Sequence, residues 1–227
     1  LKVRFEIPQD TFIEQVSRQI ISGPSLWQAD LADAVQDSCK RLIFPSMERE
    51  IRNLLTENAE KQAISLFGRN LKQLLLIPPL AGHTVLGLDP GYRTGCKAAI
   101  VNPQGSVLAT TVFYLTHSEA QRQSSAKTML ELIRRHGVTL AAIGNGTASY
   151  ETEEFLAGLI REHALSLNYV ITNEAGASVY SASKLAKDEL PDLDVSLRGA
   201  VSIARRVQDP LAELVKIEPK AIGVGQY

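Results

Sequence analysis

The sequence predicts an α/β domain with a mixed five-stranded sheet and flanking helices, preceded by an all-α helical segment. Residues 84–114 contain short apolar runs separated by turn residues, which is typical of antiparallel neighbours. Helical and strand patterns alternate over residues 118–190, which favours parallel strands joined by crossover helices. Only helical periodicity precedes Pro78. We therefore expect a helical scaffold segment (1–81), an α/β domain (82–209) and the start of a following linker or helical region (210–227).

The N-terminal segment repeats apolar residues at helical spacing. The predicted helices cover residues 12–21, 31–42 and 45–75. The third is predicted to begin at Pro45, with a candidate interruption at Gly68, and Pro78-Pro79 follows its end. Three helices alone form a thin core, so we expect them to cover another surface.

Five strands and four helices are predicted after Gly82. The strands cover residues 84–88, 97–101, 106–114, 140–144 and 168–172. The helices cover residues 118–136, 151–162, 177–190 and 197–207. The first three strands are joined by short turns, and the last two follow helices, so the sheet is predicted to be mixed.

Composition limits the possible functions. The chain has 24 Lys and Arg against 25 Asp and Glu, so a nucleic-acid contact requires a local basic patch. Cys39 and Cys96 lack metal-ligand spacing and are predicted to be reduced thiols in a reducing compartment. No long apolar run indicates a membrane span. The chain begins at Leu1 rather than Met, and we expect it to be a fragment of a longer protein.

The most informative motif surrounds Asp89. An apolar strand ends in this carboxylate, and Pro90-Gly91 and a second apolar strand follow. A buried strand that delivers a carboxylate to a hairpin mouth can hold a divalent metal or approach phosphates. The alternative is a simple turn, because Asp, Pro and Gly are ordinary turn residues.

The order of elements resembles the ribonuclease H-like fold, and longer motifs make the resemblance specific. The motifs are GLDPGYRTGCK (87–97), IGNGTAS (143–149), NEAGASVYSAS (173–183) and DVSLRGAVSIARR (194–206). Together they resemble the bacterial Tex family of transcription accessory proteins. The resemblance implies the end of a helical scaffold followed by a YqgF-type domain. It also implies a cytoplasmic, multidomain protein that binds RNA or DNA, with the transcription machinery and its own remaining domains as partners.

The resemblance also identifies the positions of a nuclease site. Nucleases of this type need several converging carboxylates to hold two metal ions. Asp89 matches the first of these and is the candidate metal ligand, and Glu174 matches an acid after the fifth strand. Asn145 stands where an acid would end the fourth strand, and Arg198-Gly199 stands at the third acid position. Asp89 and Glu174 are therefore vestigial catalytic candidates, no cofactor is required, and Mg²⁺ is expected only if the site is active.

Several residues are candidates for nucleic-acid contact. Arg93 and Lys97 follow Asp89, and their charge favours phosphate over Mg²⁺. Residues 144–147 either form a turn and cap before the following helix, with Thr147 or Ser149 as the N-cap, or contact phosphate through Asn145 and Thr147. Arg198, Arg205 and Arg206 form a compact basic cluster, which is either a solvated helix face or a phosphate-contacting one.

Four functions compete at this point. The favoured one is a nucleic-acid-associated domain that binds without cleaving. A metal-dependent nuclease of the RuvC or YqgF type is the main alternative. An ATP-binding domain of the actin and sugar-kinase type is less favoured because only one half of that fold is present. An architectural platform for protein partners would explain the amphipathic helices of residues 10–76.

Overall fold

The computed structural model describes residues 5–115 and 118–223, and the chain divides into two compact units. We call Leu1–Ser65 the helical unit and Leu66–Tyr227 the α/β unit. Within the described ranges, no helix has the length and apolar character that crossing a bilayer requires.

The helical unit begins with α1 (Gln9–Ile20) and α2 (Gln28–Ser38), followed by a π-helical turn (Cys39–Ile43) and α3 (Phe44–Leu75). The predicted helix start at Pro45 is wrong, because the chain is helical without a break from Gln28 to Leu75. The Phe44 N–H donates to the Cys39 carbonyl, five residues earlier. This wider turn accommodates a proline that an α-helix interior would not tolerate.

The core of the helical unit is small. Cys39 and Phe44 are buried in it, and the Phe44 ring lies 5.4 Å from that of Phe12 between centroids. Gly68, further along α3 and already in the α/β unit, does not interrupt the helix.

The α/β unit contains the predicted mixed five-stranded sheet. Its strands are β1 (Val85–Asp89), β2 (Cys96–Val101), β3 (Val107–Phe113), β4 (Leu140–Gly144) and β5 (Asn168–Thr172). The spatial order is β3-β2-β1-β4-β5. The first three strands are antiparallel, whereas β4 runs parallel to both β1 and β5. The fold class is therefore confirmed.

Helices cover both faces of the sheet. On one face, α4 (Glu119–His136) and α5 (Ser149–Glu162) pack against alternate residues of β1, β2 and β4, with Met129 and Leu156 at the centre. On the other face lies α8 (Val195–Gln208), with Ala200, Ile203 and Ala204 against the intervening strand residues. Because side chains alternate along a strand, Gly87 and Asp89 belong to the α8 face.

The segment after β5 differs from its prediction. A single helix over 177–190 is wrong, because the structure has α6 (Ala177–Ser181) and α7 (Lys184–Glu189). The Ser183 hydroxyl accepts a hydrogen bond from the Ala186 N–H and so caps a new helix. Two further short helices, α9 (Pro210–Leu214) and α10 (Pro219–Gly223), follow α8.

Candidate functional site

The candidate site lies at the edge of the sheet where β1 and β4 end. These strands are parallel neighbours, with Leu88 opposite Ile143, so Asp89 and Gly144 end side by side. Glu174 reaches this edge from the loop after β5. A β-carbon added at Gly144 or Gly146 would overlap the Glu174 carboxylate, so both glycines are needed for its position. The structure therefore brings the two predicted acids together.

Asn145 and Arg206 hold the loop that carries Glu174. The Asn145 Oδ1 accepts a hydrogen bond of 3.1 Å from the Glu174 N–H. The buried Arg206 guanidinium donates through Nη1 to the carbonyls of Asn173 (2.6 Å) and Ala175 (2.9 Å). Since these two carbonyls flank Glu174, Arg206 fixes the backbone on both sides of that acid.

Asp89 carries an energetic cost when it is ionised. Partial burial, and secondly the negative charge of Glu174, raise its pKa to about 6, although the Lys97 charge opposes the rise. Lys97 lies opposite Asp89 in the β1–β2 ladder. Its ammonium group donates to the Thr94 hydroxyl and, over 3.1 Å, to the Gly95 carbonyl. The turn therefore holds the Lys97 ammonium group beside the Asp89 carboxylate.

The backbone of α8 closes the third side of the site. A β-carbon added at Gly199 would lie 2.7 Å from the Asp89 Oδ2, so no acidic side chain fits there without displacing the helix or the carboxylate. Among residues 5–115 and 118–223, no group of three His, Cys, Asp or Glu side chains could hold a metal ion. Two carboxylates beside a lysine do not fit the donor set of a two-metal nuclease.

The predicted arginine cluster is not an exposed patch. Arg198 is 7% exposed and Arg206 is 3% exposed, and both donate to backbone carbonyls inside the α/β unit. Arg205 donates to the Gly105 carbonyl over 2.8 Å, in the β2–β3 turn at the opposite end of the sheet. The three arginines therefore make internal contacts. Arg206 supports the Glu174 loop from inside the α/β unit, and none of the three is an exposed cation at the site.

Two other predicted residues do lie exposed at the site. Arg93 occupies the β1–β2 turn, and Thr147 follows Gly146 just before α5. Ala148, which precedes the helix, has a left-handed backbone with φ of 67°. Asn145 is exposed as well, whereas Lys97 is half-buried.

Sequence reasoning missed a set of exposed tyrosines near this edge. The Tyr92 hydroxyl donates to the Glu151 Oε1 over 2.6 Å, which ties the β1–β2 turn to the first turn of α5. Tyr150, in the same helical turn, is 72% exposed. Tyr92 lies within the Asp89 motif, but periodicity does not show that a turn residue meets a distant helix.

Comparison with known proteins identifies relatives for the chain. Residues 83–208 match the family model of the Tex protein YqgF-like domain. The chain is 51% identical to YdcI of Bacillus subtilis over 100% of its own length and 32% of that protein. It is 52% identical to the transcriptional accessory protein Tex of Neisseria gonorrhoeae, over 97% of the chain and 29% of that protein.

A human relative, S1 RNA-binding domain-containing protein 1, is 52% identical over 87% of the chain and 20% of its own length. The chain thus spans about a third or less of the length of each of these relatives.

Proposed function

Because the chain belongs to the Tex protein YqgF-like domain family, we propose that it is a nucleic-acid-associated part of a transcription accessory protein that binds RNA or DNA without cleaving it. The names of two relatives, one a transcriptional accessory protein and one carrying an S1 RNA-binding domain, support this function. A cytoplasmic location, contact with the transcription machinery and contact with further domains of the same protein belong to the same proposal.

The contact between Gly199 and Asp89 carries the non-cleaving part of the proposal. A phosphodiesterase that uses two metal ions needs acids on several sides of the scissile phosphate. Here Gly199 of α8 occupies that side, and a β-carbon added at Gly199 would lie 2.7 Å from the Asp89 Oδ2. Lys97 already lies opposite Asp89 and offers a positive charge without a metal. The exposed Arg93 and Thr147 extend this surface toward solvent.

Binding is expected to need no divalent cation. Fluorescence anisotropy with labelled single-stranded RNA, single-stranded DNA and duplex DNA at about 50 mM salt should show the same affinity in EDTA and in Mg²⁺. For single strands, the logarithm of the binding constant falls linearly with the logarithm of the salt concentration. Arg93→Gln should make this slope shallower by about 0.7, because one phosphate contact is lost.

Arg161→Gln is the matched control, since Arg161 is an exposed arginine in the last turn of α5, far along the helix from the site. Equal loss in both variants would contradict a site at the strand ends. Binding that requires Mg²⁺ would contradict the metal-independent mode.

A second candidate function is a platform for protein partners. The part of α3 in the helical unit exposes large apolar side chains, with Leu54 54%, Leu55 55% and Ile64 70% exposed. Leu54 and Leu55 are neighbours and form one exposed apolar site of the kind that another protein element covers, whereas Ile64 lies on a different side of the helix. If the chain bound no nucleic acid at low salt, this function would replace the first.

A further inference from the structure

Three of the exposed tyrosines lie along one edge of the sheet. Tyr114 follows β3, Tyr92 lies in the β1–β2 turn, and Tyr150 lies in the first turn of α5. Their exposed fractions are 39%, 44% and 72%. By contrast, Tyr180 is buried, and its hydroxyl donates to Glu189 over 2.5 Å. The three exposed tyrosines therefore do not contribute to the core in the way that Tyr180 does.

Contacts across the edge place these three residues in a row. The Tyr114 Cδ1 would lie 3.1 Å from a β-carbon added at Gly95, so this ring packs beside the end of the β1–β2 turn. The hydrogen bond from Tyr92 to Glu151 then links that turn to α5, where Tyr150 precedes Glu151. The row runs from β3 past β2 and β1 to the end of β4, and strand spacing gives this distance as about 14 Å.

We propose that Tyr114, Tyr92 and Tyr150 form a stacking platform for the unpaired bases of a single-stranded nucleic acid. This inference rests on the proposed function and specifies its ligand class. An exposed aromatic ring can stack on any base, so affinity without sequence preference follows. Duplex bases are stacked on each other and present no free ring face, so the platform discriminates against duplex DNA.

The charges around the row fit stacking better than phosphate capture. Glu151 lies in the row, and its pKa is lowered by the Tyr92 hydroxyl, so it is ionised at neutral pH. Asp89 and Glu174 add negative charge on the same edge. Arg93 supplies an exposed cation next to Tyr92. With so few cations, the strand releases few counterions, and a shallow salt dependence is expected.

The platform is tested with labelled single-stranded oligonucleotides in the anisotropy assay. Tyr150→Ala should weaken binding about fivefold or more, whereas Tyr150→Phe keeps the ring and should stay within about twofold of the unsubstituted protein. Tyr169→Ala is the control. Tyr169 is 38% exposed and its hydroxyl also donates to a glutamate of α5, Glu153, but Tyr169 lies in β5, outside the row.

An abasic oligonucleotide of the same length separates stacking from phosphate contact. Its phosphates are intact, so loss of affinity for this probe, with no further loss in Tyr150→Ala, is the expected result. Equal binding of duplex, abasic and normal strands, with Tyr150→Ala unchanged, would overturn the platform while leaving nucleic-acid binding itself intact. If no probe bound at low salt, the proposed function would fail as well.

Discussion

Replacing Gly87 by alanine is expected to destabilise the α/β unit by about 3 kcal/mol or more. Gly87 lies in the middle of β1, on the face covered by α8. A β-carbon there would overlap the Ala200 carbonyl oxygen and would lie 2.8 Å from the Ala204 Cβ and 2.9 Å from its backbone nitrogen. Because two of these are backbone atoms of a packed helix, α8 would have to move away from the sheet.

Chemical denaturation, followed by circular dichroism, measures this loss as a change in the free energy of unfolding. Gly158→Ala is the matched control, because it is the same substitution in the same unit and an added β-carbon there meets no atom within 4 Å. In the middle of α5, alanine should stabilise by up to about 1 kcal/mol. Equal stabilities of the two variants would contradict the close approach of α8 to β1.

Asp89→Asn is expected to stabilise the protein by about 3 kcal/mol at pH 7.5. The pKa of Asp89 is raised from 3.8 to about 6, chiefly by burial and then by the charge of Glu174. Between these values the native protein holds a proton that the unfolded chain has lost, so the Asp89 contribution to stability falls as the pH rises from about 4 to about 6. Asparagine removes this cost without changing the side-chain size.

The measurement is the difference in unfolding free energy between the variant and the unsubstituted protein from pH 3.5 to pH 8. The difference should be near zero at the acid end and should grow through the window that ends at about 6. Asp194→Asn is the control, because the pKa of Asp194 is lowered by its bonds to Ser196, so ionisation there stabilises the native state and the pH dependence should have the opposite sign. If Asp89→Asn were less stable than the unsubstituted protein at pH 7.5, the claim that ionising Asp89 costs stability would be contradicted.

Local signals predicted most of the α/β unit. The bounds of β4 and β5 follow from short apolar runs, and the turn from Asn102 to Gly105 separates β2 from β3. The predicted helix over 177–190 failed because apolar spacing does not reveal that Ser183 caps a new helix. The predicted helix start at Pro45 was wrong because the π-helical turn before Pro45 keeps the helix continuous.

The candidate site could be predicted as a set of residues but not as a geometry. Position in the motifs sufficed to select Asp89 and Glu174. The burial of Arg198 and Arg206 could not be foreseen, because α8 is covered on several sides, by the sheet, α6 and α9. Arg198 bonds to a carbonyl at the end of α6, and Arg206 bonds to carbonyls in the loop after β5. The resemblance placed Arg198-Gly199 at the third acid position, but the close approach of Gly199 to Asp89 follows only from the crossing of α8 over β1.

The most direct test of the central claim is a cleavage assay on strands that the protein binds. End-labelled single-stranded RNA, single-stranded DNA and branched DNA are incubated with a molar excess of the protein in Mg²⁺ or Mn²⁺ and separated on a denaturing gel. The site described here predicts intact strands in every lane, identical for the unsubstituted protein and Asp89→Asn. Products that appear only with a divalent metal and vanish in Asp89→Asn would contradict it, because Asp89 and Glu174 would then suffice for catalysis.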